Sequence, residues 1–193
     1  MKKGVKKRGP FRLLRSREVY KNPWIRVRED DVLRPNGKPG IFGIVEAQAG
    51  SSIVPIDKFG YCYLTKEYHY GVGKVTIEAI SGGIDRGETP LEGAKRELLE
   101  ETGLVSSQWV YLGKFYPFTT ILNSKQHAFL SLNVKKVHEV SKEEKQLVKI
   151  IKMPFKKAVA AVLDGKINHA GSAIAILKVD YYLCSKKMRR GKN

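Results

Sequence analysis

At 193 residues the chain can bury one sizeable core, and a second full domain would be cramped. Its 42% hydrophobic and 28% charged content is that of a globular protein, and charge interrupts every apolar stretch before it could span a bilayer. The net charge of +17 suggests nucleic acid until it is located: residues 1–28 carry +10, residues 186–193 carry +5, and the remaining 157 only +2. Residues 1–20 and 186–193 are therefore expected to be basic, solvated tails on a nearly neutral body, with nucleic-acid binding the minor alternative.

The opening Met-Lys-Lys-Gly-Val-Lys-Lys-Arg-Gly-Pro has no apolar run behind its charges, so no secretion signal and a cytoplasmic location are expected. Cys62 and Cys184 sit in apolar surroundings without CxxC spacing and read as buried, reduced thiols.

In chain order, two extended runs from Trp24 to Ala47 flank Arg-Pro-Asn-Gly-Lys-Pro-Gly. Asn36-Gly37 suits the positive-φ positions of a tight turn, so the spacing predicts a hairpin within residues 21–50. Strands are predicted at 52–57 and 61–70 around Lys58-Phe59-Gly60, and at 74–80 running into Ser81-Gly82-Gly83. A helix follows with Thr89 as N-cap, Pro90 in its first position, Glu92 completing a capping box and Gly103 as a left-handed C-terminal cap. Further strands are predicted at 109–115 and 128–134, then two core-packing helices at 155–164 and 170–184. Strands that precede, flank and follow helices give an α/β (α+β) domain with a mixed sheet, placed at residues 51–185.

On the predicted helix Glu97, Glu100 and Glu101 stand at i, i+3 and i+4, which puts three carboxylates on one face within one turn. Like charges so placed cost a helix about 0.2–0.5 kcal/mol per pair. A hard cation reverses that cost, because carboxylate oxygens are the ligands that Mg²⁺, Mn²⁺ or Ca²⁺ take. Taken alone the triplet is a solvated acidic face; its surroundings change the reading.

Those surroundings are Gly82-x5-Glu88-x7-Arg96-Glu97-Leu98-x-Glu100-Glu101-x-Gly103-Leu104. The run fills every fixed position of the Nudix box, and the sequence resembles the Nudix hydrolase family. Asn22-Pro23-Trp24, Pro35-Asn36-Gly37-Lys38 and Gly165-Lys166-Ile167 extend the likeness to the branch that hydrolyses ADP-ribose and other nucleoside diphosphate sugars.

The resemblance implies an α/β/α sandwich with an N-terminal β-hairpin extension that packs or exchanges between two subunits of a homodimer. It implies a Mg²⁺- or Mn²⁺-dependent pyrophosphohydrolase acting on a small nucleoside diphosphate substrate, with no membrane partner. Glu97, Glu100, Glu101 and the Ser81 carbonyl would hold the metal. Gly82 lets the backbone turn close to it, Gly103 caps the helix, and the Glu88–Arg96 pair fastens loop to helix. For the general base the best match outside the box is Glu144, with Glu143 one position off and Glu101 the alternative.

Substrate recognition departs from the branch at three places: Glu67-Tyr68-His69 where an arginine is usual, Glu78-Ala79-Ile80 for Glu-x-Pro, and Phe118 to Lys125 without a glycine-rich turn. His69 is a candidate phosphate contact, or a hydrogen-bonded strand histidine. Trp24 is a candidate for stacking on a base, or a core or interface tryptophan. Two rival functions remain: an RNA 5′-end pyrophosphohydrolase, suggested by the basic ends, and a non-catalytic RNA-binding module, which would not need the acidic triad.

Overall fold

The computed structural model describes residues 6–139 and 148–190. The chain divides into two compact units, one within Met1–Gln48 and Tyr116–Lys125, the other within Ala49–Phe115 and Gln126–Asn193.

The first unit is a sheet in the order β1-β2-β3-β4-β10, built from β1 (Lys6–Arg8), β2 (Phe11–Lys21), β3 (Ile25–Leu33), β4 (Pro39–Ala47) and β10 (Leu122–Asn123). The expected hairpin is β3–β4, in register from Ile25↔Ala47 to Leu33↔Pro39, with Gly37 at φ 78° in its turn. Among the described residues, the basic segment before it is paired strand rather than tail. β2 pairs along its length with β3, and β1 pairs with β2. Charge matching across the strands explains the order. Arg8 Nη1 lies 3.2 Å from Asp30 Oδ2, Arg26 lies 2.7 Å from Glu18 and 2.9 Å from Glu46, and Arg28 reaches both Asp30 and Glu46. Opposite charges facing each other across strands favour pairing that a run of like charges would oppose.

The second unit holds a six-stranded mixed sheet in the order β13-β6-β7-β5-β11-β9. Its strands are β5 (Gly50–Ile56), β6 (Tyr61–His69), β7 (Lys74–Gly83), β9 (Gln108–Phe115), β11 (Gln126–Leu132) and β13 (Val148–Pro154); β8 (Leu104–Val105) and β12 (Lys135–Lys136) form a small separate pair. β5 is buried at every position and pairs in parallel with β11. Alternation sends its side chains to two cores. Val54 and Ile56 join Cys62, Leu64, Ala79, Ala128 and Leu130 against α2 (Phe155–Leu163) and α3 (Ala170–Arg190), through Phe155, Ala158, Ile176 and Val179. Ile53, Ile80 and Phe129 face the other way, onto Ala94 and Leu98 of α1 (Pro90–Thr102). Helices on both faces of a mixed sheet make this unit the expected α/β/α sandwich.

Two expectations fail locally. α3 continues through Arg190, so the basic end is largely helical rather than a free tail. Cys62 is buried, with its thiol pushed up to about 12 by desolvation, but Cys184 is exposed: it lies four residues after Asp180, on the outer side of α3. No helix among the described residues is long and apolar enough to cross a membrane.

Candidate active site

The acidic helix is punctuated as its sequence dictates. Thr89 Oγ1 accepts from Glu92 N at 3.3 Å, Glu92 Oε2 accepts from Thr89 N at 2.8 Å, and Gly103, at φ 68°, donates its N–H to Leu99 O at 2.8 Å. These caps fix where α1 begins and ends, and Ala94 and Leu98, fully buried, fix which face turns inward. The remaining face carries Glu97, Glu100 and Glu101.

Arg96 organises that face. Its Nε and Nη2 donate to the two carboxylate oxygens of Glu88 at 2.9 and 3.1 Å, and Nη2 donates to Gly83 O at 2.8 Å. Glu88 in turn accepts from Asp85 N at 2.8 Å, so the loop 83–89 is tied to the helix through one guanidinium. The other arm, Nη1, sits 2.8 Å from Glu97 Oε1 and 3.0 Å from Glu100 Oε2. A planar fork with five N–H donors can serve three carboxylates and a carbonyl at once, whereas an ammonium has only three donors.

Glu97 is more enclosed than Glu100, with 14% of its side chain exposed against 52%. Burial pushes its carboxyl above the ordinary range, although Arg96 pulls it back. It lies so close to the end of β7 that a Cβ at Gly82 would overlap its carboxyl group. Gly82 therefore serves a close approach; its φ is not in the left-handed region. Ser81, one residue earlier, is half-buried and paired in register with Ser52 of β5.

Among the described residues no three His, Cys, Asp or Glu side chains already stand as a cation cage. The donor set nonetheless fits one. Two carboxylates converge on a single positive group, the Arg96 Nη1, and burial disfavours the charge on the better enclosed of them. All-oxygen donors of this kind suit a hard divalent ion.

The other residues singled out in the sequence lie elsewhere. His69, at the end of β6, places Nε2 3.0 Å from Glu78 Oε1. Trp24 belongs to the first unit and is 75% exposed, so it is not a core tryptophan. Glu143 and Glu144 lie outside the described residues. Sequence reasoning missed His169, whose Nδ1 lies 2.9 Å from Glu78 Oε2; nothing in the local sequence marks it.

A NUDIX domain model matches residues 47–170, and a nucleoside diphosphate sugar hydrolase N-terminal domain matches residues 11–45. The chain belongs to the Nudix hydrolase family. Its N-terminal sheet is accordingly the accessory domain and the α/β/α unit the Nudix domain. The chain is 24% identical to the ADP-ribose pyrophosphatase of Bacillus subtilis (strain 168) over 160 residues, covering 82% of this chain and 86% of that one. It is 36% identical to a putative nudix hydrolase 2 of Caenorhabditis elegans over 116 residues, 54% of this chain and 52% of the relative. A solved structure described as an ADP compounds hydrolase superposes with a TM-score of 0.81 at 22% identity, over 94% of this chain and 98% of that one, and supports the fold. Nudix hydrolases as a family use divalent metal ions.

Proposed function

We propose that the protein hydrolyses the diphosphate bridge of ADP-ribose or a related nucleoside diphosphate sugar, giving nucleoside monophosphate and sugar phosphate. The carrying observation is the convergence of Glu97 and Glu100 on one positive charge, with the Glu97 carboxyl pressed against Gly82. The N-terminal domain match and the resemblance to the Bacillus subtilis enzyme support the substrate class.

In this reading Glu97, Glu100, Glu101 and the Ser81 carbonyl hold Mg²⁺, with Mn²⁺ as the substitute. The bound ion supplies neutralisation of the diphosphate and a lowered pKa for a water molecule. Arg96 must release at least one of its two helix carboxylates to make them ligands, while its paired bonds to Glu88 keep the loop in place. Glu144 or Glu101 accepts the proton of the attacking water. One P–O bond of the bridge breaks as the water oxygen bonds to phosphorus, and the displaced phosphate oxygen leaves with its electron pair. Catalysis by this site is chiefly positioning and charge stabilisation, as in other phosphoryl transfers. His69 and Trp24 are assigned to substrate contact, the protein to the cytoplasm, and the N-terminal sheet to a homodimer interface.

The RNA alternatives lose ground because Arg8, Arg17, Arg26 and Arg28 are committed to acidic partners within their own sheet. A phosphate-release assay on ADP-ribose, titrated with Mg²⁺, tests the proposal. Metal-dependent turnover abolished by Glu97→Gln supports it; turnover of capped or triphosphate-ended RNA without any of ADP-ribose overturns it.

A further inference from the structure

We propose that the cavity around His69, Glu78 and His169 is a second anion subsite, taking a phosphate on the distal half of the diphosphate substrate. The inference rests on the hydrolase reading above and narrows its substrate class to diphosphates whose leaving half bears a further phosphate.

Residues 78, 80 and 82 alternate onto one face of β7. That face is the one covered by α1, because Ile80 packs with Ala94 and Leu98, and Gly82 abuts the Glu97 carboxyl. Glu78 therefore lies on the same side of the sheet as the acidic helix, about 13 Å along the strand from Gly82 at ~3.3 Å per residue. That span suits the length of a sugar phosphate beyond the scissile bridge.

The cavity itself is about 670 Å³, and its polar lining includes His69, Lys74, Thr76, Glu78, Lys166 and His169. Glu78 is its buried element, with only 10% of its side chain exposed. One carboxylate oxygen lies 3.0 Å from His69 Nε2 and accepts from Thr76 Oγ1 at 2.6 Å; the other lies 2.9 Å from His169 Nδ1. Burial opposes charge on this carboxyl, but the His169 and Thr76 contacts outweigh it and hold Glu78 below the usual carboxylate range. Each imidazole thus places one nitrogen against Glu78, which leaves His69 Nδ1 and His169 Nε2 as the ring atoms that can meet a ligand.

Two other readings of the cluster fail. Ser172 Oγ approaches the same His169 Nδ1, at 2.9 Å, and already accepts from Ala79 N, so no serine is poised as a nucleophile on the far ring nitrogen. The carboxylate oxygens are occupied by hydrogen-bond donors, which leaves them poorly placed to ligate a metal. Charge then decides the ligand. Lys74 and Lys166 line the cavity, Asp164 stands 3.6 Å from Lys166, and Glu78 is shared between two imidazoles. An incoming phosphate meets two ammonium groups and two rings able to donate.

The test uses the full-length protein and ribose 5-phosphate as the probe, titrated calorimetrically at low salt with chelator present. Lys74 and Lys166 are both exposed, so Lys74→Ala/Lys166→Ala leaves the fold intact. Wild type should bind the probe, and the double variant about ten-fold or more weakly, as expected for lost charge-assisted hydrogen bonds. Equal binding by both proteins, or none by wild type, overturns the subsite. In the kinetic arm, kcat/KM for ADP-ribose phosphorylated on its distal ribose should exceed that for ADP-ribose by about ten-fold, a ratio that collapses in the double variant. Brisk turnover of both substrates at equal efficiency overturns the subsite and leaves the hydrolase reading standing. Probe binding lost in the double variant, without turnover of either substrate, supports the subsite and sinks the hydrolase reading.

Discussion

Gly82→Ala tests how closely the end of β7 positions Glu97, the proposed metal ligand. The backbone tolerates alanine, since Gly82 does not adopt a left-handed φ. The added methyl group, however, would occupy the place of the Glu97 carboxyl. Carbon contacts settle near 3.5–4 Å, so the carboxyl must retreat by roughly 1 Å or more. A misplacement of that size in a catalytic array costs about 100-fold in rate, equivalent to about 2.7 kcal/mol of activation free energy. The clashing atoms are the far end of a flexible side chain, so the melting temperature should fall by only a few degrees. Phosphate release from ADP-ribose at saturating Mg²⁺ measures the rate, and circular dichroism the fold. A folded Gly82→Ala variant with wild-type kcat would refute the argument that this glycine exists to seat Glu97.

Other consequences follow from the same geometry. Arg96→Lys should lower stability by about 1–3 kcal/mol in urea unfolding, because a single ammonium cannot replace the paired bonds to Glu88 together with those to Glu97 and Glu100. Asp57, remote from the acidic helix, accepts from Phe59 N at 2.9 Å and Tyr61 N at 3.0 Å, and its Oδ2 lies 2.7 Å from Lys152 Nζ. Burial acts against its charge, but the Lys152 and backbone contacts outweigh it and depress its carboxyl below the ordinary range. A depressed folded value means that the unfolded chain binds the proton more readily, so this contribution is full above the ordinary aspartate value near 3.9 and fades as pH falls through the folded one. Asp57→Asn should therefore destabilise the protein by about 1–3 kcal/mol at pH 7, and by progressively less below about pH 4, in denaturant titrations run across that range.

The legible parts of the molecule are those set by local rules. Thr89, Pro90, Glu92 and Gly103 punctuate α1, and Asn36-Gly37 marks the hairpin, because caps and turns depend on neighbours within four residues. The acidic face of α1 was readable for the same reason. β2 was not: its residues after Leu13 are exposed on both sides, so no period-2 pattern marks it, and its order comes from pairing with β3, where Ser16 and Arg17 meet Asp30 and Glu29 and Glu18 meets Arg26. β13 was missed as well, since Val148–Pro154 alternates only weakly and is specified by pairing with β6, some eighty residues earlier. The His169–Glu78 contact joins residues 91 positions apart, and no local spacing records it.

The central claim is that three acids on one helical turn hold the catalytic cation. Mn²⁺ titration followed by electron paramagnetic resonance, with a non-hydrolysable ADP-ribose analogue bound, addresses it directly. Wild type should take up Mn²⁺ from solution, and Glu97→Gln/Glu101→Gln should bind it at least about 100-fold more weakly, as expected when two ligating carboxylates are lost. Undiminished Mn²⁺ uptake by the folded double variant would place the metal elsewhere and contradict the account.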